Sequence, residues 1–270
     1  MGQKNVDEKT GERAGLQAIR SVVPDFCPRP LGSGNFASSP TTSFLLIEFL
    51  QLSSSSFPLL SGFLDSFSPR PGLAQKLAAL HTTPAPIPAG FDRAQFGFPV
   101  ATYCGDTPQD NSYKESWAEF FGHNRLLAAL KRCEANRGEV AGFRELVEAV
   151  ASRVVPRLLD HRHLNNGNGI VPVVVHGDLW CGNAARGKIA DGPVTDVVFD
   201  PSACCAHSEY ELGIMKMFGG FGKAFLREYH RLCPRPSRPT STTTASPSTS
   251  CKSSSRSWQR TDHVQLFRYF

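Results

Sequence analysis

The sequence predicts an α+β fold, because helical patterns dominate the chain while a few short segments have strand character. The segments VPVVVH and DVVFD, and an earlier block SFLLIEFL at 43–50, are compact and apolar, as buried strands are. We expect VPVVVH and DVVFD to pair as a hairpin around the loop between them. The stretch GSGNFASS at 32–39 predicts a hairpin turn. Apolar residues recur at helical spacing over 10–23, 72–82, 112–133, 138–160 and 208–231.

Composition restricts the classes of partner and compartment. Lys and Arg outnumber Asp and Glu by 29 to 24 without forming a basic run, so we expect no nucleic-acid partner. No apolar run reaches the roughly 20 residues that cross a bilayer, so we expect no membrane partner. The eight Cys form no CxxC pair and the first residues are polar, which predicts reduced thiols and a cytoplasmic protein.

The segment VVVHGDLWCGNAA at 173–185 carries the strongest chemical signal. His176, Asp178 and Asn183 fit H-x-D-x-x-x-x-N, the spacing of the catalytic loop in protein kinases. A loop leaving a strand can present Asp178 to an acceptor hydroxyl, and Asp200 follows at the end of DVVFD. Carboxylate and amide oxygens are ligands that Mg²⁺ takes beside nucleotide phosphates. A single Asp after a strand is usually a turn residue, but the ordered combination favours phosphoryl transfer.

Three longer stretches resemble the fructosamine kinase family, which includes protein-ribulosamine 3-kinases. They are FGFPVATYCGDTPQDNSYKESWAEFFGHNRL, HGDLWCGNAA and FDPSACCAHSEYELGIMKMFGGFGKAFLREYH. The resemblance implies a two-lobed, protein-kinase-like fold of the aminoglycoside phosphotransferase type. It also implies ATP and Mg²⁺ as cofactors. The implied substrates are ribulosamine or fructosamine adducts on protein lysines, or small ketosamines, phosphorylated at the sugar 3′-hydroxyl so that the adduct falls apart and the protein is repaired.

The resemblance assigns roles to the residues of the motif. It makes Asp178 the base that accepts the sugar hydroxyl proton, and Asn183 and Asp200 the ligands of Mg²⁺. Trp180 occupies the position of the family's loop Trp, where it either offers an apolar face to the sugar or packs the loop. Glu211 in EYELG matches an acidic helix residue that braces the catalytic loop, and we expect His176 to support the same loop.

The resemblance also assigns nucleotide-binding positions near the start of the chain. Glu12 matches the glutamate that pairs with a phosphate-binding lysine. That lysine and the glycine-rich loop precede the Glu-bearing helix in kinase-like folds, and we expect neither to be encoded here. Lys4 is the remaining candidate for the lysine. The first lysine after GSGNFASS is Lys76, which lies in a helix beyond the hinge. The hinge, whose backbone binds adenine, matches Glu48, Phe49 and Leu50.

These assignments predict four regions. Residues 1–52 form an incomplete N-lobe and residues 53–232 form a C-lobe with the catalytic loop. Residues 233–260, rich in Ser, Thr and Pro, are predicted to be disordered, and residues 261–270 to begin a truncated helix.

Two alternatives remain beside the kinase hypothesis. A catalytically impaired pseudokinase, or a truncated gene model, would act at most as a binding protein. A zinc site at Cys204, Cys205 and His207 is disfavoured, because adjacent thiols rarely chelate one tetrahedral zinc. We expect His207 to be a cap residue before its helix instead.

Overall fold

The computed structural model describes residues 2–53 and 71–236, with side chains from residue 8 onward. The predicted truncated helix at 261–270 lies outside the described residues, as does most of the segment predicted to be disordered. No helix in these two ranges is long and apolar enough to cross a membrane.

Helices are the most abundant secondary structure of the described chain. Helix α1 is Gly2–Val22 and α2 is Leu73–Thr82. Two longer helical runs contain a π-helical segment each. The first, α3, comprises Trp117–Glu119, π-helical Phe120–Leu127 and Ala128–Arg137, and the second, α4, comprises Phe143–Ala149, π-helical Val150–Val154 and Val155–Leu159. The remaining helices are α5, Ser208–Phe218, α6, Lys223–Leu232, and short 3₁₀ turns at His161–His163, Asn165–Gly167 and Cys181–Asn183.

The predicted helices exist, but several predicted boundaries are wrong. Helix α1 begins at Gly2 rather than at residue 10, and α4 begins at Phe143 rather than near residue 138. The run predicted to begin at residue 112 begins at Trp117, because the Ser116 hydroxyl accepts a hydrogen bond from the Glu119 amide and caps the helix there. The helix predicted over 208–231 is two helices. Gly219 and Gly220 both have positive φ, which ends α5 before α6 starts in a new direction.

Short strands form small sheets around the helices. In chain order they are β1 Pro30–Phe36, β2 Ser39–Ile47, β3 Leu50–Leu52, β4 Thr102–Cys104, β5 Thr107–Gln109, β6 Val173–Val175, β7 Ala184–Ile189, β8 Val194–Val198 and β9 Cys204–Ala206. Every pairing is antiparallel: β1 with β2, β3 with β7 and β7 with β8, β4 with β5, and β6 with β9. The predicted hairpin turn within 32–39 is confirmed, since residues 37–38 connect β1 to β2.

The hairpin predicted between VPVVVH and DVVFD is wrong. Strand β6 pairs with β9, and β8 pairs with β7, a strand that sequence analysis missed because AARGKI lacks strand character. The β6–β9 and β7–β8 registers both bring the loop 176–183 next to the segment before β9. Val175 lies opposite Cys204, and Ala184 lies opposite Val198, so both ends of the loop 176–183 adjoin the segment 199–203. Strand pairing therefore brings the two halves of the predicted site together.

The prediction of a buried strand at 43–50 is also wrong. Leu45 and Ile47 pack against the core, but Phe44 is 37%, Leu46 55% and Phe49 74% exposed. The block alternates because β2 belongs to a two-stranded sheet with α1 on one face.

Helix α1 packs closely against the rest of the protein through two glycines on one face. A Cβ at Gly11 would lie 2.4 Å from the Ala101 carbonyl oxygen, and one at Gly15 would lie 3.1 Å from the Ala203 side chain. These contacts hold the helix against β4 and against the segment that follows Asp200. The position of α1 thus depends on residues without side chains at 11 and 15.

We expect Gly11→Ala to destabilise the protein by about 1–3 kcal/mol, because overpacking against a backbone oxygen outweighs the gain in helix propensity. Gly213→Ala in α5 is the matched control. A Cβ there meets no atom within 4 Å, so the same substitution should stabilise by up to about 1 kcal/mol. Urea unfolding of both variants measures the difference, and a Gly11→Ala protein as stable as the wild type would contradict the packing argument.

Candidate active site

A buried carboxylate from α5 fixes the start of the loop 176–183. The Glu211 side chain is fully buried and accepts hydrogen bonds from the backbone amides of His176, Gly177 and Leu179, at 2.5, 3.1 and 3.3 Å. Burial by itself raises the pKa of Glu211, but the nearby His81 and His176 side chains and the Gly177 amide outweigh it, and the net pKa lies below the usual range. An ionised carboxylate therefore holds the loop, in the position where the sequence predicted a bracing residue.

His176, the first residue of the loop, is a neutral imidazole. Its ring is buried, and desolvation lowers its pKa despite the nearby Glu211 carboxylate. The Nε2 atom lies 3.0 Å from the Phe199 carbonyl, so Nε2 carries the hydrogen. The Nδ1 atom accepts from the Asp178 amide at 3.3 Å. His176 therefore links the loop to the segment before Asp200 and orients the Asp178 backbone.

Gly177 is required by close packing at the loop. Its φ of +81° lies in the left-handed region, and a Cβ would stand 2.1 Å from the Ser202 carbonyl oxygen. A residue with a side chain at this position would push the loop away from Ser202, in the segment that precedes β9. The Gly of the His-Gly-Asp motif thus keeps Asp178 beside Asp200.

Asn183 connects the two acidic residues of the motif. Its side-chain amide nitrogen donates to the Asp178 carbonyl at 2.9 Å and makes a longer contact of 3.5 Å with the Asp200 carbonyl. With the nitrogen fixed in this way, the side-chain oxygen is the atom that is left to bind a cation. Asp200 itself adopts a left-handed φ of +58°, an uncommon conformation for a residue other than Gly.

A cavity of about 350 Å³ opens beside these residues. Asp178 and Asp200 line it together with Glu12, so three of the predicted site residues share one cavity. The lining also includes residues that sequence analysis did not identify. One of them, Glu8, could have been found from sequence, because it lies one helical turn before Glu12. The others had no sequence signal; they are Tyr103, Gly105 and Asp106 in the β4–β5 hairpin, and Pro201 directly after Asp200.

An ammonium group pairs with two of the carboxylates that line this cavity. Lys9 Nζ is 2.9 Å from a carboxylate oxygen of Glu12 and 3.9 Å from one of Glu8. Burial lowers the pKa of Lys9, but the hydrogen bond to Glu12 and the charges of Glu8 and Asp200 outweigh it, and the pKa is raised overall. Glu12 therefore has a lysine partner on its own helix.

The lysines considered from sequence are placed differently. The Lys4 side chain lies outside the described residues. Lys76 is 1% exposed, and its ammonium donates to the Asp25 and Asp196 carbonyls at 3.0 Å each. It does not line the cavity, and its hydrogen bonds tie α2 to neighbouring segments.

The predicted hinge residues lie away from this cavity, and their nucleotide role stays a prediction. The Glu48 amide donates to the Arg29 carbonyl at 2.9 Å, and the Glu48 carboxylate accepts from the Arg29 side chain at 3.1 Å. The Phe49 carbonyl accepts from the Ala190 amide at 2.8 Å, and Leu50 begins β3. The Glu48 contacts join the connection between β2 and β3 to the residue before β1, and the Phe49 contact joins it to the β7–β8 hairpin.

Trp180 packs within its own loop. A Cβ at Gly182 would lie 2.2 Å from the indole ring, and the Phe218 ring centroid is 5.7 Å from that of Trp180. The indole is half-buried and does not line the cavity. These contacts are those of a side chain that packs the loop against the end of α5; contact with a sugar stays a prediction.

The alternative zinc site is not formed. Cys204 and Cys205 are successive residues of β9 and point to opposite faces of the strand, so they cannot bind one ion. Burial raises the pKa of both thiols, that of Cys205 to about 12. His207 accepts from the Glu209 amide through Nδ1, which confirms it as the cap of α5. Across residues 2–53 and 71–236, no cluster of three or more His, Cys, Asp or Glu suits a metal.

Comparison with known proteins agrees with the resemblance in the sequence. The family model described as fructosamine kinase matches residues 3–240. The structure resembles that of a protein from Haemophilus somnus 129PT assigned as a fructosamine-3-kinase, with a TM-score of 0.64 and 24% identity over 85% of this chain and 65% of that one. A similarly assigned protein from Thermobifida fusca YX-ER1 gives a TM-score of 0.59 and 25% identity over 83% and 65%. The α+β, kinase-like fold expected from the sequence is confirmed.

The curated relatives carry related names. The ketosamine-3-kinase of Mus musculus is 38% identical over 52% of this chain and 41% of its own length. A probable ketoamine kinase of Synechocystis is 33% identical over 83% and 64%, and the chloroplastic protein-ribulosamine 3-kinase of Arabidopsis thaliana is 29% identical over 83% and 59%. The chain thus spans between 41% and 64% of the length of these relatives. Since the family model covers most of it, the chain belongs to the fructosamine kinase family.

Proposed function

We propose that the protein transfers a phosphoryl group from ATP to the 3′-hydroxyl of a ketosamine formed by a sugar on an amine. The observation that carries this proposal is that Asp178 and Asp200 line one carboxylate-rich cavity while the Asn183 side chain contacts the backbone carbonyls of both. The named activities of the relatives supply the substrate class, and repair of glycated protein lysines is the role we infer from it.

Asp178 is the group that accepts the proton of the sugar hydroxyl. Its backbone is fixed on both sides, by the His176 ring at the amide and by the Asn183 side chain at the carbonyl. Its side chain is 8% exposed, and it faces the cavity from a loop held by three hydrogen bonds to one carboxylate. A base that is held in this way loses little entropy when it approaches the hydroxyl.

The donor set fits a magnesium nucleotide. Asn183 and Asp200 would hold Mg²⁺ with one amide oxygen and one carboxylate oxygen. This ion usually takes only one or two protein ligands, and phosphates and waters complete its coordination. Bound MgATP supplies the electrophilic γ-phosphoryl group and neutralises its developing charge. The cavity suits cations in general, because the carboxylates of Glu8, Glu12 and Asp106 also line it. The same charges favour the amine of a ketosamine over a neutral sugar.

We further propose that Lys9 binds the phosphates in this chain. Lys9 pairs with Glu12 at 2.9 Å, as the phosphate-binding lysine does with its glutamate in kinase-like sites, but it comes from the same helix. Lys9→Met should weaken binding of MgADP about tenfold or more, because a hydrogen bond between charged groups contributes roughly 1.5–3 kcal/mol.

Isothermal titration calorimetry with MgADP measures this change. Lys216→Met, which removes an exposed lysine from α5, is the matched control and should bind as the wild type does. If Lys9→Met and Lys216→Met have equal affinities for MgADP, Lys9 does not bind the phosphates.

The proposed reaction is tested with purified protein, MgATP and a ribulosamine-modified lysine peptide. Mass spectrometry should detect addition of one phosphoryl group. The peptide carrying the 3-deoxy sugar is the matched control, since it keeps the amine and lacks only the acceptor hydroxyl. Phosphorylation of both peptides would contradict the assigned hydroxyl. Binding of the ribulosamine peptide without any transfer would instead favour the pseudokinase alternative.

A further inference from the structure

We infer that His81 and Tyr229 are positioning residues that orient the Glu211 carboxylate toward the catalytic loop. They lie behind the loop, on helices α2 and α6, and do not line the cavity. The inference rests on the proposed function in one respect: the catalytic role of the loop 176–183 is part of that function. The contacts themselves form a continuous buried series from α6 to the loop.

The geometry joins three buried side chains. The His81 Nδ1 atom is 2.9 Å from the Tyr229 hydroxyl oxygen, and the two rings meet edge to face with centroids 5.7 Å apart. On the other side, His81 Nε2 is 3.8 Å from a carboxylate oxygen of Glu211. The exposed fractions are 3% for His81, 1% for Tyr229 and 0% for Glu211, so water does not screen these contacts.

Tyr229 determines which ring nitrogen of His81 carries the hydrogen. Burial raises the pKa of Tyr229, so the phenol keeps its proton. The phenol also lies 3.5 Å from the Cys233 sulfur, a weaker acceptor than an imidazole nitrogen. Donation to His81 Nδ1 is therefore favoured, and Nε2 then bears the hydrogen.

The tautomer of His81 affects Glu211, because Nε2 faces the Glu211 carboxylate. An N–H directed at a carboxylate is attracted to it, whereas a nitrogen lone pair in the same place is repelled. At 3.8 Å the pair is too far apart for a hydrogen bond, so the attraction acts through the dipole of the N–H in a medium of low dielectric. The ring thus favours the carboxylate position from which Glu211 accepts the amides of His176, Gly177 and Leu179.

Two substitutions at His81 separate this role from simple packing. In His81→Gln the amide nitrogen can occupy the place of Nε2 and keep a donor toward Glu211. In His81→Asn the shorter amide reaches only the place of Nδ1, so the contact with Tyr229 is kept and the donor is lost. The pair tests the donor while both variants keep a polar side chain in the same space.

The measurement is native-state amide hydrogen exchange followed by NMR. In His81→Asn we expect at least about tenfold faster exchange at the amides of residues 176, 177 and 179, with the amides of Leu130 and Val197 unchanged. His81→Gln should exchange as the wild type does. Unchanged loop amides in His81→Asn, or equal acceleration at Leu130 and Val197, would overturn the inference.

Tyr229→Phe keeps the test decisive if His81→Asn does not fold, since it removes only the hydroxyl. We expect the ¹⁵N chemical shifts of His81 to move away from the Nε2–H tautomer, and the loop amides to exchange faster. An unchanged tautomer with unchanged exchange contradicts the inference. None of these readouts requires phosphoryl transfer, so an inactive protein would overturn the proposed function and leave this inference standing.

Discussion

Glu211→Ala is expected to destabilise the protein by about 3–5 kcal/mol, the largest stability effect that the structure predicts. The substitution leaves three loop amides without an acceptor in a fully buried place, and it opens a cavity beneath the loop. Each unsatisfied buried donor costs roughly 1–3 kcal/mol, and partial relaxation of the loop limits the total. Urea unfolding followed by circular dichroism gives the free energy directly.

One further variant shows whether the loss of stability comes from the missing acceptor or from the missing side-chain volume, and a second serves as a control. Glu211→Gln keeps the volume but turns one oxygen into a donor that faces other donors, so we expect a large loss here too. Glu209→Ala is the matched control on the first turn of α5, where a side chain at a helix N-terminus contributes about 0.3–1 kcal/mol. If Glu211→Ala costs no more than Glu209→Ala, the carboxylate does not hold the loop.

Asp178→Asn is expected to lower kcat for the proposed phosphoryl transfer by about 10²–10⁴, the usual contribution of a positioned general base. The amide has the shape of the carboxylate but cannot accept the hydroxyl proton. The variant should be at least as stable as the wild type, because Asp178 shares its cavity with the carboxylates of Glu8, Glu12, Asp106 and Asp200. Loss of activity together with retained stability is the sign of a residue that serves function rather than folding.

Steady-state kinetics and thermal unfolding of the same preparations test this pair of expectations. Asp191→Asn provides the matched control, since Asp191 is fully exposed at the β7–β8 turn and undergoes the same chemical change. Its kcat should equal that of the wild type. An Asp178→Asn enzyme with unaltered kcat would remove Asp178 from the reaction, whatever the stability data show.

Local sequence was sufficient for the elements whose signals are short-range. Periodicity predicts α2 and the second half of α1. It does not reveal the end of α5, because the apolar pattern continues past the two successive glycines that end this helix. The core strand β6 was identified from its apolar run, but β7 was not, because Arg186, Gly187 and Lys188 satisfy backbone pairing without an apolar pattern. Pairing partners depend on contacts far apart in the chain, which no window of sequence contains.

By itself, the sequence determined the family and the identity of the motif residues Asp178, Asn183 and Asp200, because the family's signature lies in residue types at fixed spacing within single loops. Which of these groups meet depends on the packing of the whole chain. The β6–β9 and β7–β8 registers place Asp200 beside the loop, and the packing of α1 brings Glu8 to the same cavity. Such contacts arise when distant segments bury their surfaces together, so they are fixed by packing over the whole fold rather than by local chain preference.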